Sequence, residues 1–527
     1  MMKFLPRAAF HPSRRSWLAR AGVLVSSAAL PPRLGEALAQ PESSLHALPR
    51  VALVIGNTRY AEMPLRNPAN DARAMGAALQ KLGFRVDLKL ETGRDEMVEA
   101  IRAYGSELGK RKSVGLFYYA GHGAQLAWRN YLIPVDAKIR NTAEMQSQAL
   151  DVGALLKNLT LARNPMNVII LDACRDNPLG DDVRMEQKGL SQIDAPPGTL
   201  LAYATAPGNV AADGAGENGL YTQHLLREML APAEKIEDVF KRVRLNVRRQ
   251  SSGQQIPWES TSLEEDFYFQ PPRQIRKPSE QEIERSFEEE LAVWERIKDA
   301  KAPGPFEDYL RKYPSGVFSE VAQLKLDRVL AQSGEKKIEV VSSAANPFSR
   351  GTGRLNIRFK VGDRFQYRES DLDSKKEIRT YTLRVTEIVD DEVIFNDGRL
   401  SSDLLGNGRK QSDGDLQSQS QFYIPEYSVG KKWTTRYKIV KPDGKAYNGE
   451  YEFKVLGRDK VTVPAGTFDA FHVEGNGRGE DAGSSLYLAY WITPEVGRFI
   501  MRDYKRYNKS RVVTHNHRVE LLTYRQS

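Results

Sequence analysis

Val168-Ile169-Ile170-Leu171-Asp172-Ala173-Cys174-Arg175-Asp176-Asn177-Pro178 is a short apolar run that stops at two acids flanking the only cysteine of the chain. It is too short for a buried helix and runs into a proline-containing turn, so it reads as a parallel-sheet strand covered on both faces. Upstream, Val114-Gly115-Leu116-Phe117-Tyr118-Tyr119 has the same texture and leads into Ala120-Gly121-His122-Gly123. In an open α/β sheet, function gathers outside the carboxyl ends of the strands. Neighbouring strands would therefore bring His122 and Cys174 together across 52 residues of sequence.

A thiol of pKa about 8.5 is only a few per cent thiolate at neutral pH and needs an adjacent base to become an effective nucleophile. Cys174 is the candidate nucleophile and His122 the candidate acid/base. The backbone N–H groups of Gly123 and Cys174 are candidate oxyanion donors, since glycine lets the backbone approach a substrate closely. Taken alone, a buried cysteine is a small inert hydrophobe and Gly-His-Gly is a turn. The pairing of two strand ends is what favours chemistry.

Tyr118-Tyr119-Ala120-Gly121-His122-Gly123 followed by Asp172-Ala173-Cys174-Arg175 resembles the caspase, metacaspase and paracaspase superfamily, over residues 50 to 250. The chain departs from animal caspases in carrying Asp172 where they have glutamine and Asp176 where they have glycine. An acid two residues before the cysteine is similar to metacaspases and paracaspases. The resemblance implies a cysteine endopeptidase acting on protein or peptide substrates. It also implies a specificity pocket whose charge is reversed relative to caspases, with Asp172, Asp71 and Asp213 as its acids and arginine, then lysine, as the residue cleaved after. Arg184 and Lys188 would then be sites of self-cleavage. Calcium dependence occurs in many metacaspases, but no compact acidic loop supports it here, so no cofactor and no metal ligand are assigned.

The chain has 527 residues, 40% hydrophobic and 28% charged, enough for two to four domains of ordinary globular composition. Its formal charge is +9, but residues 1–39 hold six basic side chains against Glu36, leaving +4 elsewhere. This argues against a nucleic-acid binder. The same segment contains Ser13-Arg14-Arg15-Ser16-Trp17-Leu18, an apolar stretch from Ala21 to Leu30, and Ala37-Leu38-Ala39. It is similar to a twin-arginine export signal, which implies a periplasmic product. The apolar stretch is too short to span a bilayer, and no later one reaches about 18 residues, so no transmembrane segment is expected in the mature chain.

From Arg50 the pattern alternates: strand 51–55, helix 68–82, strand 84–88, helix 96–108, the histidine strand, an edge segment at 130–136, helix 152–159, the cysteine strand, strand 199–204, and helices 220–230 and 236–249. This predicts an α/β domain over 50–256, a mostly parallel sheet flanked by helices. Residues 257–278 read as a proline- and charge-rich linker, 279–333 as a small helical segment with an aromatic core stripe, and 334–353 as a second linker. From 354 to 527, period-two segments broken by Asp-Gly, Asn-Gly and Pro-Asp-Gly turns predict an antiparallel β-rich domain. It could bind a cell-envelope partner. His515 and His517, one residue apart, are read as surface residues, as no third metal ligand is evident. The competing reading is a catalytically idle caspase-fold scaffold or envelope-binding protein, with the β domain as its working part.

Overall fold

Two apolar runs with the texture of β-strands occupy the centre of a sheet. In the computed structural model, which describes residues 45–173, 189–209, 216–276, 278–335, 346–355, 358–479 and 484–527, the N-terminal half runs β1 (Arg50–Gly56), α1 (Pro68–Lys81), β2 (Phe84–Leu90), α2 (Arg94–Lys110), β3 (Val114–Ala120). There follow β4 (Gly123–Leu126), β5 (Arg129–Leu132), α3 (Met145–Gln148), β6 (Leu150–Asp151), α4 (Val152–Ala162) and β7 (Met166–Asp172). The α/β part ends with β8 (Thr199–Tyr203), α5 (Leu220–Met229), α6 (Ile236–Gln250) and β9 (Trp258–Thr261). The sheet order is β2-β1-β3-β7-β8-β9, parallel except for β9, which runs antiparallel to β8.

Every residue of β3 and the first six of β7 are buried, as continuous apolar strands require when both sheet faces are covered. Successive side chains alternate between faces. A Cβ on Gly115 would stand 2.8 Å from the Tyr104 hydroxyl of α2, whereas the Tyr118 hydroxyl lies 2.6 Å from Thr222 Oγ1 of α5. The two helices therefore cover opposite faces. Registry pairs Ala120 with Asp172, so the histidine and cysteine strands end at the same level.

Two sequence expectations change. The segment around Asn130 is not an edge of the main sheet: β4, β5 and β6 form a separate three-stranded sheet. Residues read as linker from Pro257 instead supply β9, and Phe267 and Phe269 pack into the α/β core. A proline-flanked run of four residues is too short to reveal a strand before its partner β8 is known.

Three helices follow, α7 (Glu280–Ile297), α8 (Pro303–Lys312) and α9 (Ser319–Gln332), packed around Trp294, Phe306, Tyr309 and Phe318. Ser279 and Glu282 form a reciprocal capping box at the start of α7. The C-terminal part is an antiparallel, closed twelve-stranded barrel running from strand Arg364–Asp371 to strand Val513–Arg525, which pair with each other. One of its turns is Pro442-Asp443-Gly444, where Gly444 takes φ +85°. The connection into the barrel lies across the α/β part. Asp194 N–H donates to the Phe348 carbonyl at 2.8 Å, and its carboxylate accepts from Gly351 N at 2.6 Å and Thr352 Oγ1 at 2.8 Å. Among the described residues no helix is long and apolar enough to cross a membrane.

Candidate active site

β3 delivers His122 through Gly121, whose missing side chain is a steric requirement. A Cβ there would fall 2.6 Å from the Tyr60 hydroxyl and 2.7 Å from the Tyr119 hydroxyl. Both phenols hold the backbone of His122. Its N–H donates to Tyr60 Oη at 2.9 Å, and its carbonyl accepts from Tyr119 Oη at 2.9 Å and from Ile133 N at 3.0 Å. The Tyr60 ring packs on the imidazole with centroids 4.4 Å apart. Burial pushes the Tyr60 phenol up to about 12, so it stays protonated.

The imidazole is buried and its Nε2 lies 2.7 Å from the Met63 carbonyl oxygen. A carbonyl is an acceptor only, so Nε2 carries the proton of the neutral ring and Nδ1 holds the lone pair. Met63 sits in a loop closed by Leu65 N–H to the Thr58 carbonyl at 2.9 Å and anchored by the Glu91 carboxylate, which accepts from Thr58 N and Arg59 N at 2.9 and 2.8 Å. Met63 itself has φ +51°, a left-handed conformation that is costly for a residue with a Cβ and recurs at functional sites.

Gly123 follows the histidine and faces the chain's own backbone. A Cβ there would come within 2.4 Å of the Ala173 carbonyl oxygen and 3.0 Å of Ala173 Cβ. The glycine anticipated as room for a substrate is thus required by the residue that precedes Cys174. Cys174 itself, Asp213, Arg184 and Lys188 lie outside the described residues. Downstream, Ser191 N donates to Asn130 Oδ1 at 2.7 Å, and Asn130 Nδ2 to the Ser191 carbonyl at 2.8 Å, tying the returning chain to β5.

Asp71 and Asp172 meet at one helix terminus. Asp71, buried in the first turn of α1, accepts from Gly219 N and Asn218 Nδ2, both at 2.9 Å, at the start of α5. One turn on, Thr222 Oγ1 donates to Asp172 Oδ2 at 2.9 Å. Carboxylates are favoured at a helix N-terminus, where amide N–H groups and the helix dipole face them. The Tyr118 phenol, between them, is held well above its usual range by burial and then by the charges of Asp172 and Asp71. Two of the three acids singled out in the sequence therefore share a locus at the carboxyl end of the sheet.

Tyr60, Met63 and Thr222 escaped the sequence reading. Met63 acts through a backbone carbonyl, which leaves no residue-type signature, whereas Tyr119 stood inside the quoted motif and could have been found there. His515 and His517 are neighbours on a barrel strand, and His517 Nδ1 lies 3.0 Å from Glu369. Among the described residues, no group of three or more His, Cys, Asp or Glu is placed to hold a metal ion.

A mostly parallel sheet ending in this histidine and these acids defines a caspase-like α/β domain, the fold of a cysteine peptidase family. The family model for the caspase domain matches residues 49–268, so this part of the chain is similar to a caspase domain. Human mucosa-associated lymphoid tissue lymphoma translocation protein 1 is 31% identical over 186 residues, 34% of this chain and 22% of that protein. Its mouse homologue is 31% identical over 186 residues, 34% of this chain and 21% of its own. The chain thus spans about a fifth of the length of these relatives. The Drosophila initiator caspase Dronc aligns at 14% identity with a TM-score of 0.32, covering 42% of this chain and 83% of that one.

Proposed function

We propose that the chain is an exported cysteine endopeptidase that cleaves after arginine, and after lysine more weakly. The observation that carries the reading is the hydrogen bond between His122 Nε2 and the Met63 carbonyl, which leaves Nδ1 as the base. His122 takes the proton of the Cys174 thiol, and the thiolate attacks the scissile carbonyl carbon. The resulting oxyanion accepts hydrogen bonds from the N–H groups of Gly123 and Cys174. The protonated imidazole then gives its proton to the leaving amine as the C–N bond breaks, and water hydrolyses the thioester with His122 again as base. Asp172 and Asp71, joined by Asp213, receive the guanidinium of the residue before the cleaved bond.

In this reading residues 1–39 act as a twin-arginine-type signal and the product works in the periplasm, with the β domain positioning it on a cell-envelope partner. The decisive experiment digests a peptide library with wild type, Cys174→Ala and His122→Ala side by side. Both variants should lose cleavage by orders of magnitude while remaining folded; substantial activity in a folded Cys174→Ala protein would sink the mechanism. Export is tested separately: Arg14→Lys with Arg15→Lys should leave uncleaved protein in the cytoplasm, and normal export of that double variant refutes the twin-arginine route.

A further inference from the structure

Over much of the barrel surface, cations are matched by acids. Arg436 is paired at 3.1 Å with both Glu284 of α7 and Glu450, Arg518 at 2.7 Å with Asp503, Arg379 at 2.6 Å with Glu369, and Lys445 at 2.9 Å with Asp443. One hairpin departs from that pattern. Where strands Arg498–Tyr507 and Val513–Arg525 meet, the sequence is Lys505-Arg506-Tyr507-Asn508-Lys509-Ser510-Arg511-Val512-Val513-Thr514-His515, which carries four cations and no acid. Among the described residues none of these four cations has an ion pair.

The turn is held by its own hydrogen bonds. Asn508 N donates to the Val512 carbonyl at 3.0 Å, Arg511 N to the Asn508 carbonyl at 2.9 Å, and Asn508 Oδ1 accepts from Ser510 N and Val512 N, both at 2.9 Å. Asn508 thus satisfies the amides of the turn, and Lys509, Arg511, Val512 and Val513 are left on the surface, the two valines 57% and 43% exposed. The hairpin between strands Arg364–Asp371 and Glu377–Val389 lies alongside, with Asp371 opposite His517 in registry, and adds exposed Lys375, Lys376 and Ile378. Its acids are engaged locally: Asp371 accepts from Ser374 N and Asp373 from Asn516 Nδ2, both at 2.6 Å.

In an antiparallel barrel successive turns alternate between the two ends. The end opposite this hairpin bears on the rest of the chain, since Asp391 pairs with Lys325 and Arg328 of α9, and Lys432 Nζ donates to the Glu264 carbonyl at 3.0 Å. The basic hairpin therefore stands at the barrel end away from those contacts.

We propose that this hairpin docks the chain on an anionic lipid surface, with Lys505, Arg506, Lys509 and Arg511 among the headgroups and Val512 and Val513 at the acyl boundary. A cation near an anionic leaflet strengthens binding about fivefold, and unpaired cations give up no ion pair to do so. Exposed valines at a convex turn favour lipid over an acidic protein, because a bilayer can receive them without a preformed pocket. The proposal deepens the envelope-partner reading by naming the partner, and rests on that reading for where the chain works. Binding to vesicles requires neither export nor cleavage, so the two readings fail separately.

The test sediments the full chain with vesicles of phosphatidylcholine and phosphatidylglycerol in equal parts, and with phosphatidylcholine alone. Residues 1–39 are also basic, so the decisive comparison is between full-length variants. Wild type should bind the mixed vesicles at least about tenfold more tightly than neutral ones, with the difference shrinking as salt rises. Lys509→Gln with Arg511→Gln should lose at least about tenfold on mixed vesicles while keeping the wild-type melting temperature. Val512→Ser should weaken vesicle binding several-fold and leave binding to polyglutamate, a soluble polyanion, unchanged. In case the double variant does not fold, trypsin is applied to wild type, and mixed vesicles should protect the chain from cleavage after Lys509 and Arg511. Equal binding to both vesicle types, undiminished binding by the folded double variant, vesicle binding unaffected by Val512→Ser, polyglutamate bound as tightly as mixed vesicles, or unprotected cleavage at Lys509 and Arg511 each overturns the proposal.

Discussion

His122 Nε2 lies 2.7 Å from the carbonyl oxygen of Met63, a residue held at φ +51°. The imidazole tautomer is therefore set by one backbone oxygen, which a substitution at Met63 moves only if it changes the backbone. Met63→Gly accepts positive φ and should keep kcat within about twofold. Met63→Pro demands φ near −65°, displaces the carbonyl, and should lower kcat by about two orders of magnitude with little change in KM. Equal activity of the two variants on an arginyl peptide would show that this bond does not position the base. Tyr60→Phe removes the acceptor for the His122 N–H and should cost about 1 kcal/mol of stability in a denaturant titration.

Gly123→Ala tests the packing between the two strand ends. The added methyl meets the Ala173 carbonyl at 2.4 Å, and a backbone atom moves less readily than a side-chain tip. The expected outcome is destabilisation of about 1–3 kcal/mol and loss of most activity, since the residue preceding the nucleophile shifts. A variant with wild-type melting temperature and turnover would mean that this contact does not fix the site.

The parallel strands were legible because β3 and β7 are apolar throughout, a pattern that only a doubly covered sheet explains. Helices such as Ile236–Gln250 announced themselves by periodicity and ended within a residue or two of expectation. Barrel closure was not legible, since period two fixes which residues face inward but not whether the first and last strands meet. Thr222 could not be found beside Asp172, 50 residues away, without the packing of α5 on the sheet. Asp71 stands in the first turn of α1, yet the helix terminus its carboxylate holds is that of α5, which the sequence of α1 alone does not reveal.

His224 gives the fold an acid sensitivity. It is buried on α5, with Nε2 2.8 Å from Gln250 Oε1 and Nδ1 3.2 Å from the Arg227 guanidinium. Arg227 can only donate, so Nδ1 accepts and the ring is neutral. Burial, then the Arg227 charge, lowers its pKa below 6.5, while Gln250 and Glu228 act in the opposite direction. The folded state thus binds fewer protons than the unfolded one below pH 6.5. The associated stability is present above that value and is lost as pH falls through it. Melting temperature should drop between pH 7.5 and 5, and His224→Gln should show a shallower drop. An identical pH profile in the variant would remove His224 as the cause.

Substrate choice is tested at Asp172 and Asp71, which α5 holds together through Thr222 and Gly219. A charge-assisted bond to a carboxylate contributes about 1.5–3 kcal/mol, so Asp172→Asn should lower kcat/KM for arginyl peptides by about 10- to 100-fold, mostly through KM. Thr222→Val leaves the carboxylate but frees its orientation, and a loss of a few fold is expected. Asp71→Asn keeps an acceptor oxygen for Gly219 N while removing the charge, so it should weaken arginine selection without unfolding α5. The measurement is turnover of otherwise identical peptides ending in Arg, Lys, Asp and Leu, at low and high salt, with the arginine preference shrinking as salt rises. A preference for Asp in the wild type, or an arginine preference that survives Asp172→Asn undiminished, would show that these acids do not line the specificity pocket.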